Sequence, residues 1–311
     1  MDKLFRKYEM VVVGNDGRKY EFKLPYSIEF TVQRNNLSTP NTASITIYNL
    51  GANTRAAMRK DMIDFDVTRT VSLAVGYGAE RLTTIFYGTI TECHSVRRGV
   101  DYITTITAQD ANLIYTANDI SITYGDGEAL QSILNKALAQ ILPFGFTLGY
   151  SVPLEGTMPR GSTITGKAVN VLAQLLKKNV YIDGLKLFVL DDISTTFKGP
   201  VDKISAKNGL IGTPIIEQTF LRCDIIMEPR ILVGQQIELE SITGANTEMD
   251  ANKNYKFDQN IGNWGITQFN GTYRVTGLSH SGTISPVVAG TAITNLQLAN
   301  QAAVDAYQGV Q

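Results

Sequence analysis

Phe86-Tyr87-Gly88-Thr89 leading to His94-Ser95, and Phe269-Asn270-Gly271-Thr272 leading to His280-Ser281, are the stretches on which the reading of this chain turns. They carry the only 2 histidines in 311 residues, each just beyond a Phe-x-Gly-Thr in strand-like sequence. Upstream of each lies an alternating segment, Val71 to Val75 in one half and Gln236 to Glu240 in the other. Downstream comes one more, Tyr102 to Ala108 and Thr291 to Leu298. A similar order of strands at both ends predicts one β-domain used twice around a different middle. Chance matching of Gly/Thr-rich strands is the competing reading, because the echo has no fixed period.

Composition narrows the classes. A hydrophobic fraction of 43% with 18% charged residues is that of a globular chain, long enough for two or three cores. The 28 basic and 29 acidic residues nearly cancel, which gives no global electrostatic case for gripping nucleic acid. Arg97-Arg98 and Lys177-Lys178 read as solvated surface. No apolar run approaches the ~20 residues that span a bilayer, so membrane insertion is not expected. Met1 to Lys7 lacks the apolar stretch of a secretion signal. Cys93 and Cys223 are too few for a disulfide framework and read as buried thiols of a protein folded in a reducing cytoplasm.

Residues 8 to about 110 read as β structure. Gly14-Asn15-Asp16-Gly17 is the turn of a hairpin between Val11-Val13 and Tyr20-Leu24, since Asn and Gly tolerate positive φ. In Ala43 to Tyr48, Ala43, Ile45 and Ile47 share one face. A short helix is expected over Arg55 to Met62, capped by Asn53 or Thr54. The middle changes period. Leu130, Ile133, Leu134, Ala137, Leu138 and Ile141 recur at helical spacing from an N-cap at Asp126 to a stop at Pro143. A second helix is expected from about Gly166 to Lys178, then a strand, an Asp183-Gly184 turn and a strand. From about 205 the chain returns to β, interrupted by a polar, Asn-rich segment from Gly244 to Gly265 that holds the single tryptophan.

Catalytic templates find no purchase. Neither histidine has a partner at metal-ligand spacing. Asp191-Asp192 at a strand exit and Glu238/Glu240 on one strand face read as solvated edges rather than a glycosidase pair. Asp110 reads as the cap of the turn after its strand. Gly76-Tyr77-Gly78 and Gly209 to Gly212 lack the Lys-Ser/Thr of a phosphate loop. No catalytic, cofactor-binding or metal residues are assigned, and no cofactor is expected.

Three series of residues carry a resemblance. They are Asn41 to Leu50 with Val71 to Tyr77 and Ile85 to Ile90; Gly166 to Leu172 with the Asp183-Gly184 turn; and Gly209 to Pro214 with Met227 to Gly234 and Asn270 to Gly282. In this order the chain, from roughly 8 to 298, resembles the tail-hub (baseplate hub) proteins of tailed bacteriophages. Asn41, Tyr48, Asn49, Leu50, Gly88, Pro229, Gly271 and His280 are the structural motif positions. The resemblance implies a mainly β fold with an α+β middle. Residues 1–115 would be an N-terminal tube-like β-barrel domain, 116–204 the middle, 205–298 a second tube-like β-barrel and 299–311 a tail. It also implies a non-enzymatic homotrimeric ring in the virion tail, assembled in the host cytoplasm. Such a ring joins a six-fold tail tube or tube initiator to a three-fold spike or tip, with DNA and tape-measure protein passing through. Many relatives carry an acidic residue shortly after the Gly that follows the C-terminal His, where this chain has Gly282-Thr283-Ile284.

Other readings stay open at this point. A distal-tail or tube-initiator ring would be hexameric. A tail-tip hydrolase is supported only by scattered carboxylates. A carbohydrate-binding module would use Trp264, Tyr255 and Phe257 as stacking faces. The same three residues are the candidate partner interface, because aromatic residues are favoured where burial of a ring excludes water.

Overall fold

The structure is a computed structural model that describes residues 5–36, 39–61, 69–110, 119–192, 195–217, 220–241, 247–249, 255–257, 270–287 and 290–300. It is mainly β with a few helices. The chain divides into two compact units, one of Met1–Thr195 with Ser279–Ala292 and one of Thr196–Leu278 with Ile293–Gln311.

The first unit opens with the strands β1 (Arg6–Val13), β2 (Lys19–Phe22), β3 (Ile28–Asn35) and β4 (Thr42–Tyr48), then helix α1 (Ala52–Met58). Next come β5 (Thr70–Tyr77), β6 (Thr83–Arg98) and β7 (Asp101–Gln109). These strands lie in the order β3-β4-β7-β6-β5-β1-β2. Alternation decides which face is inside. Ile28, Phe30 and Val32 of β3, Ala43, Ile45 and Ile47 of β4, and Val71, Leu73 and Val75 of β5 are all 3% exposed or less. Each of the Val, Ile, Leu and Phe side chains among them contributes roughly 1.5–3 kcal/mol by leaving water.

Helix α1 begins at Ala52, earlier than expected, with no side-chain cap. Asn49 prepares its entry instead. This residue sits in the left-handed region (φ 59°), which asparagine tolerates. Its side chain donates to Asp101 and accepts from the Tyr102 amide, both at 2.9 Å. Arg55 then donates to the Leu50 carbonyl at 2.7 Å and lays its guanidinium 3.6 Å from the centre of the Tyr102 ring. Tyr48 donates to Glu29 at 2.8 Å, and Leu50 is buried at 2% exposure.

The middle segment holds β8 (Asp119–Tyr124), α2 (Leu130–Ile141), β9 (Thr147–Ser151), β10 (Ser162–Lys167), α3 (Ala168–Leu176), β11 (Asn179–Asp183) and β12 (Lys186–Leu190). The periodic residues of α2 are inward as expected, with Ile133, Leu134, Ala137 and Ile141 in its core. The helix starts differ from the expectation for local reasons. Gly127 turns the chain at φ 72°, so α2 starts after Ala129, and the Asp126 side chain instead receives the Gly161 amide. Pro143 stands two residues beyond Ile141, the last residue of α2, as expected of a helix stop. It occupies the start of a 3-10 turn, Leu142–Phe144, where no amide donor is needed, and Gly145 at φ 86° ends it. Gly166 and Lys167 belong to β10, and Lys177 at φ 51° terminates α3.

The hairpin of β11 and β12 pairs Asp183 with Lys186, which puts Gly184 and Leu185 in the two central turn positions. Both have positive φ, 57° and 67°, as a type I′ turn requires. β9 joins β12 in parallel. One face of this small sheet (Val180, Ile182, Leu187, Val189) shares a core with α2 and α3. Its other face, with Tyr181, Asp183 and Phe188, is also buried, and the Tyr181 and Phe188 rings stack at 5.1 Å. Burial on both faces suits the near-continuous apolar sequence of Val180 to Ile182 and Leu187 to Leu190.

The second unit contains β13 (Phe197–Ser205), β14 (Leu210–Glu217), β15 (Phe220–Ile226), β16 (Gln235–Glu240), the short pair β17 (Thr247–Met249) and β18 (Tyr255–Phe257), β19 (Gly271–Ile284) and β20 (Ala292–Asn300). β20 runs past the expected start of the tail at residue 299. The division between the units falls within β19, after Leu278, and at the start of β20. Strand order here is β14-β15-β20-β19, with β16 beside β19 and β13 beside β16. Replacing β3, β4, β7, β6, β5 and β1 by β14, β15, β20, β19, β16 and β13 reproduces the order of the first sheet. The echo is therefore topological: Gly88 and His94 lie on β6, Gly271 and His280 on β19, its counterpart. One difference is clear, since β1 pairs antiparallel with β5 while β13 pairs parallel with β16. Among the described residues the strands form no closed barrel.

Gly88 shows why the Phe-x-Gly-Thr motif needs its glycine. A Cβ there would meet the Gln109 carbonyl oxygen at 2.4 Å and the Phe86 ring at 2.8 Å. The crowding sits beside the register shift between Ile90 and Glu92, a bulge that bends β6 against β7. Gly88→Ala is expected to lower stability by about 1–3 kcal/mol, the usual range for overpacking, read from urea unfolding of the two proteins.

Candidate functional site

Four buried polar side chains meet at one end of the first sheet. On β3 the inward register Ile28-Phe30-Val32 continues to Arg34, and on β7 Ile106-Ala108 continues to Asp110; both polar residues are buried. Asp183 ends β11 and is 3% exposed, and Asn41, just before β4, is 1% exposed. Arg34 makes a two-pronged ion pair with Asp183, its Nε donating to Oδ1 at 2.7 Å and an Nη to Oδ2. Asn41 ties the remaining segments together. Its amide and its Nδ2 each donate to Asp110 at 2.7 Å, its Nδ2 also reaches Asp183 Oδ1 at 3.2 Å, and its Oδ1 accepts the Asn35 amide at 2.9 Å. The Asp110 amide returns a bond to the Asn41 carbonyl at 3.0 Å.

His280 belongs to the same neighbourhood and is fully buried. Burial first, then the charge of Arg34, lowers its pKa to about 3, so the ring is neutral. Burial first, then the charge of Asp183, raises Asp110 to about 7, against the pull of bonds from Asn41 and Gly184. For Arg34, burial works against the charge, but the carboxylates of Asp183 and Asp110 outweigh it and hold the guanidinium protonated. The cluster is thus a structural node joining the first sheet to the β11–β12 hairpin. It contains no nucleophile poised beside a base.

The other motif residues are separate from this node. Tyr48, Asn49 and Leu50 organise the entry of α1, and Gly88 admits the close approach of β7. Pro229 is buried in the turn after β15, and Gly271 begins β19, paired with Leu239. His94, the counterpart of His280, is exposed and 3.3 Å from Glu92. Tyr255 and Phe257 fall on β18, paired with β17, and Trp264 lies outside the described residues.

The carboxylates weighed for catalysis have structural partners. Lys203 bridges Glu238 and Glu240 at 3.2 and 3.0 Å on the surface, Lys178 pairs with Asp191, and Asp192 receives the Thr195 amide at 2.9 Å. Among the described residues no group of three or more His, Cys, Asp or Glu is arranged to hold a metal. No described helix is long and apolar enough to cross a membrane. Arg34 was not singled out from the sequence and Asp183 was read only as part of a turn, although an arginine in the inward register of an apolar strand is a legible sign of a buried partner.

The family model described as Baseplate hub gp41 matches residues 10–256, and the chain belongs to that family. Among solved structures it is similar to the 43 kDa tail protein of prophage MuSo2 from Shewanella oneidensis, at 9% identity and a TM-score of 0.55, with 95% of this chain and 97% of that one covered. It is also similar to the tail protein from Neisseria meningitidis MC58, at 8% identity and a TM-score of 0.57, with 94% of this chain and 96% of that one covered. At these identities the likeness is one of fold. A search of the curated proteins finds no match.

Removing one member of a buried pair strands the other's charge. Arg34→Leu is therefore expected to cost about 3–5 kcal/mol in chemical unfolding, and adding Asp183→Leu should restore part of that loss rather than add to it. The pH dependence follows from the two shifted groups. Asp110, raised to about 7, contributes stability that is full below its ordinary value near 4 and is lost as pH rises through 7. His280, lowered to about 3, contributes stability present above about 6.5 and lost as pH falls through 3. Between about pH 4 and 6.5 the slopes oppose each other. Asp110→Asn should uncover the histidine slope, with stability rising by on the order of 1.4 kcal/mol per pH unit over that window, while the parent protein stays nearly flat.

Proposed function

We propose that this protein is the structural hub of a phage tail or baseplate, a homotrimeric ring joining a six-fold tail tube to a three-fold spike or tip. The observation that carries this reading is the repeated strand order. A chain of the baseplate hub family with two β-units of matching topology lets three copies present six similar modules. Three-fold and six-fold neighbours then meet on one ring without any subunit adopting two conformations. A ring of this kind is closed by head-to-tail interfaces, in which one surface of each copy meets a different surface of the next.

In this reading residues 1–115 and 205–298 are the tube-like β-barrel modules, 116–204 is the middle domain and 299–311 is a tail. The ring's channel passes DNA and tape-measure protein as cargo. The protein works as a scaffold rather than an enzyme, in the virion tail after assembly in the host cytoplasm. The engagement of Glu238, Glu240, Asp191 and Asp192 in surface contacts supports a scaffold. Trp264, with Tyr255 and Phe257, contacts a neighbouring subunit, the tube or the spike.

Native mass spectrometry of the purified protein, alone and with its tube and spike partners, tests the reading. A trimer is expected, and a stable hexamer would favour a tube-initiator ring instead. Trp264→Ala should weaken attachment to the partner by about 2 kcal/mol if the indole is an interface hot spot. A variant that loses thermal stability as an isolated subunit yet assembles normally would return Trp264 to its own core.

A further inference from the structure

The repeated strand order has an unequal ending. In the first unit the outer edge of β3 is filled by β19, whose residues from Ser279 belong to that unit. Ser285 contacts Ser27 through their hydroxyls at 2.8 Å, while His280 lies beside Arg34. Rising numbers on one strand meet falling numbers on the other, so the two run antiparallel. In the second unit the counterpart of β3 is β14, and β14 ends the strand order with no further strand beside it among the described residues.

The counterpart of the segment that fills β3 is also unoccupied. β6 continues past Cys93 as His94–Arg98 and returns through Gly99 into β7, forming an arm. β5 accompanies β6 only as far as Thr89, so among the described residues the arm has β7 on one side and no strand on the other. Every residue from His94 to Val100 is exposed, and Val100 is 86% exposed. β14 presents Ile211 at 42% and Ile215 at 60% exposure. An unpaired edge carrying exposed β-branched residues invites a strand from another chain.

We propose that the arm His94–Arg98 of one copy adds antiparallel to β14 of a second copy, as Ser279–Ile284 adds to β3 within one chain. The occupant is a second copy because the missing strand and the missing edge are the two halves of one repeated pairing. The contact is head to tail, each copy giving an arm and receiving one, which is the type of interface that a closed ring uses. Antiparallel addition brings His94 toward the end of β14 and the tip of the arm toward its start, with Val96 near Ile215. This inference rests on the ring reading and specifies the interface it uses.

The test is disulfide trapping under mild oxidation of the full chain. The two native thiols, Cys93 and Cys223, are buried and do not compete. Val96→Cys and Ile215→Cys proteins, mixed, should give a cross-linked dimer that neither gives alone, and the double variant should give a ladder ending at the closed ring. Ile215→Asp, at an exposed position, should leave the circular dichroism spectrum and melting temperature of the subunit unchanged and raise the concentration of half-assembly about ten-fold or more. A trimer that forms none of these cross-links, or that tolerates Ile215→Asp, overturns this interface and leaves the ring reading standing. Val96→Cys protein that cross-links to itself overturns the head-to-tail pairing. A chain that stays monomeric at every concentration, alone and with its tail partners, overturns both.

Discussion

The ion pair between Arg34 and Asp183 is the constraint on which the first unit depends. Two charges withdrawn from water are costly unless their remaining bonding capacity is met, and here the geometry meets it from several segments at once. β3 supplies the guanidinium, β11 one carboxylate, the end of β7 another, and Asn41 the donors that hold the carboxylates in place. None of these contacts is local in sequence; Arg34 and Asp183 stand 149 residues apart. An apolar contact of the same area would tolerate sliding. A bidentate ion pair does not, and so it fixes the β11–β12 hairpin against the sheet in one register.

The second principle of the molecule is economy of topology. One strand order serves two units whose sequences share little beyond a Phe-x-Gly-Thr and a following histidine. Equivalent positions then acquired different uses. His94 stands in solvent beside Glu92, while His280 is enclosed near Arg34 and held neutral. Divergence at matched sites suits the proposed ring with unlike neighbours above and below, since identical modules would bind both neighbours equally.

Much of this was legible in the residues. Alternation located β4 with its shared face of Ala43, Ile45 and Ile47 and marked the strand at Val71 to Val75, and helical spacing located α2. The duplicated β-order was visible as the Gly88/His94 and Gly271/His280 echo. The stop of α2 ahead of Pro143 was legible, but its start was not, because caps depend on single torsions: Ala129 rather than Asp126 precedes it. The Asp183-Gly184 turn was placed one residue early. Its centre is Gly184 and Leu185, and a leucine at positive φ has no signature in a sequence. That shift frees Asp183 from the turn and places it in the node. Strand neighbours stayed hidden for a different reason: pairing is set by contacts distant in sequence, so neither the parallel β13–β16 pair nor the seat of β19 beside β3 follows from local pattern. Trp264, prominent in the sequence, lies outside the described residues.

The outer edge of β8 is treated quite differently from that of β14. Gln140 of α2 exchanges two bonds with the backbone of Ser121, at 3.0 and 2.7 Å, and Lys136 donates to the Thr123 carbonyl at 2.9 Å. Side chains thereby occupy the groups that a foreign strand would use. Among the described residues β14 has no such cover, which makes its edge a timed liability. Until the proposed neighbour covers it, that strand is open to any extended peptide it meets. In the proposed ring, the yield of assembly is then a race between correct encounter and stray association, set by how long a subunit waits alone.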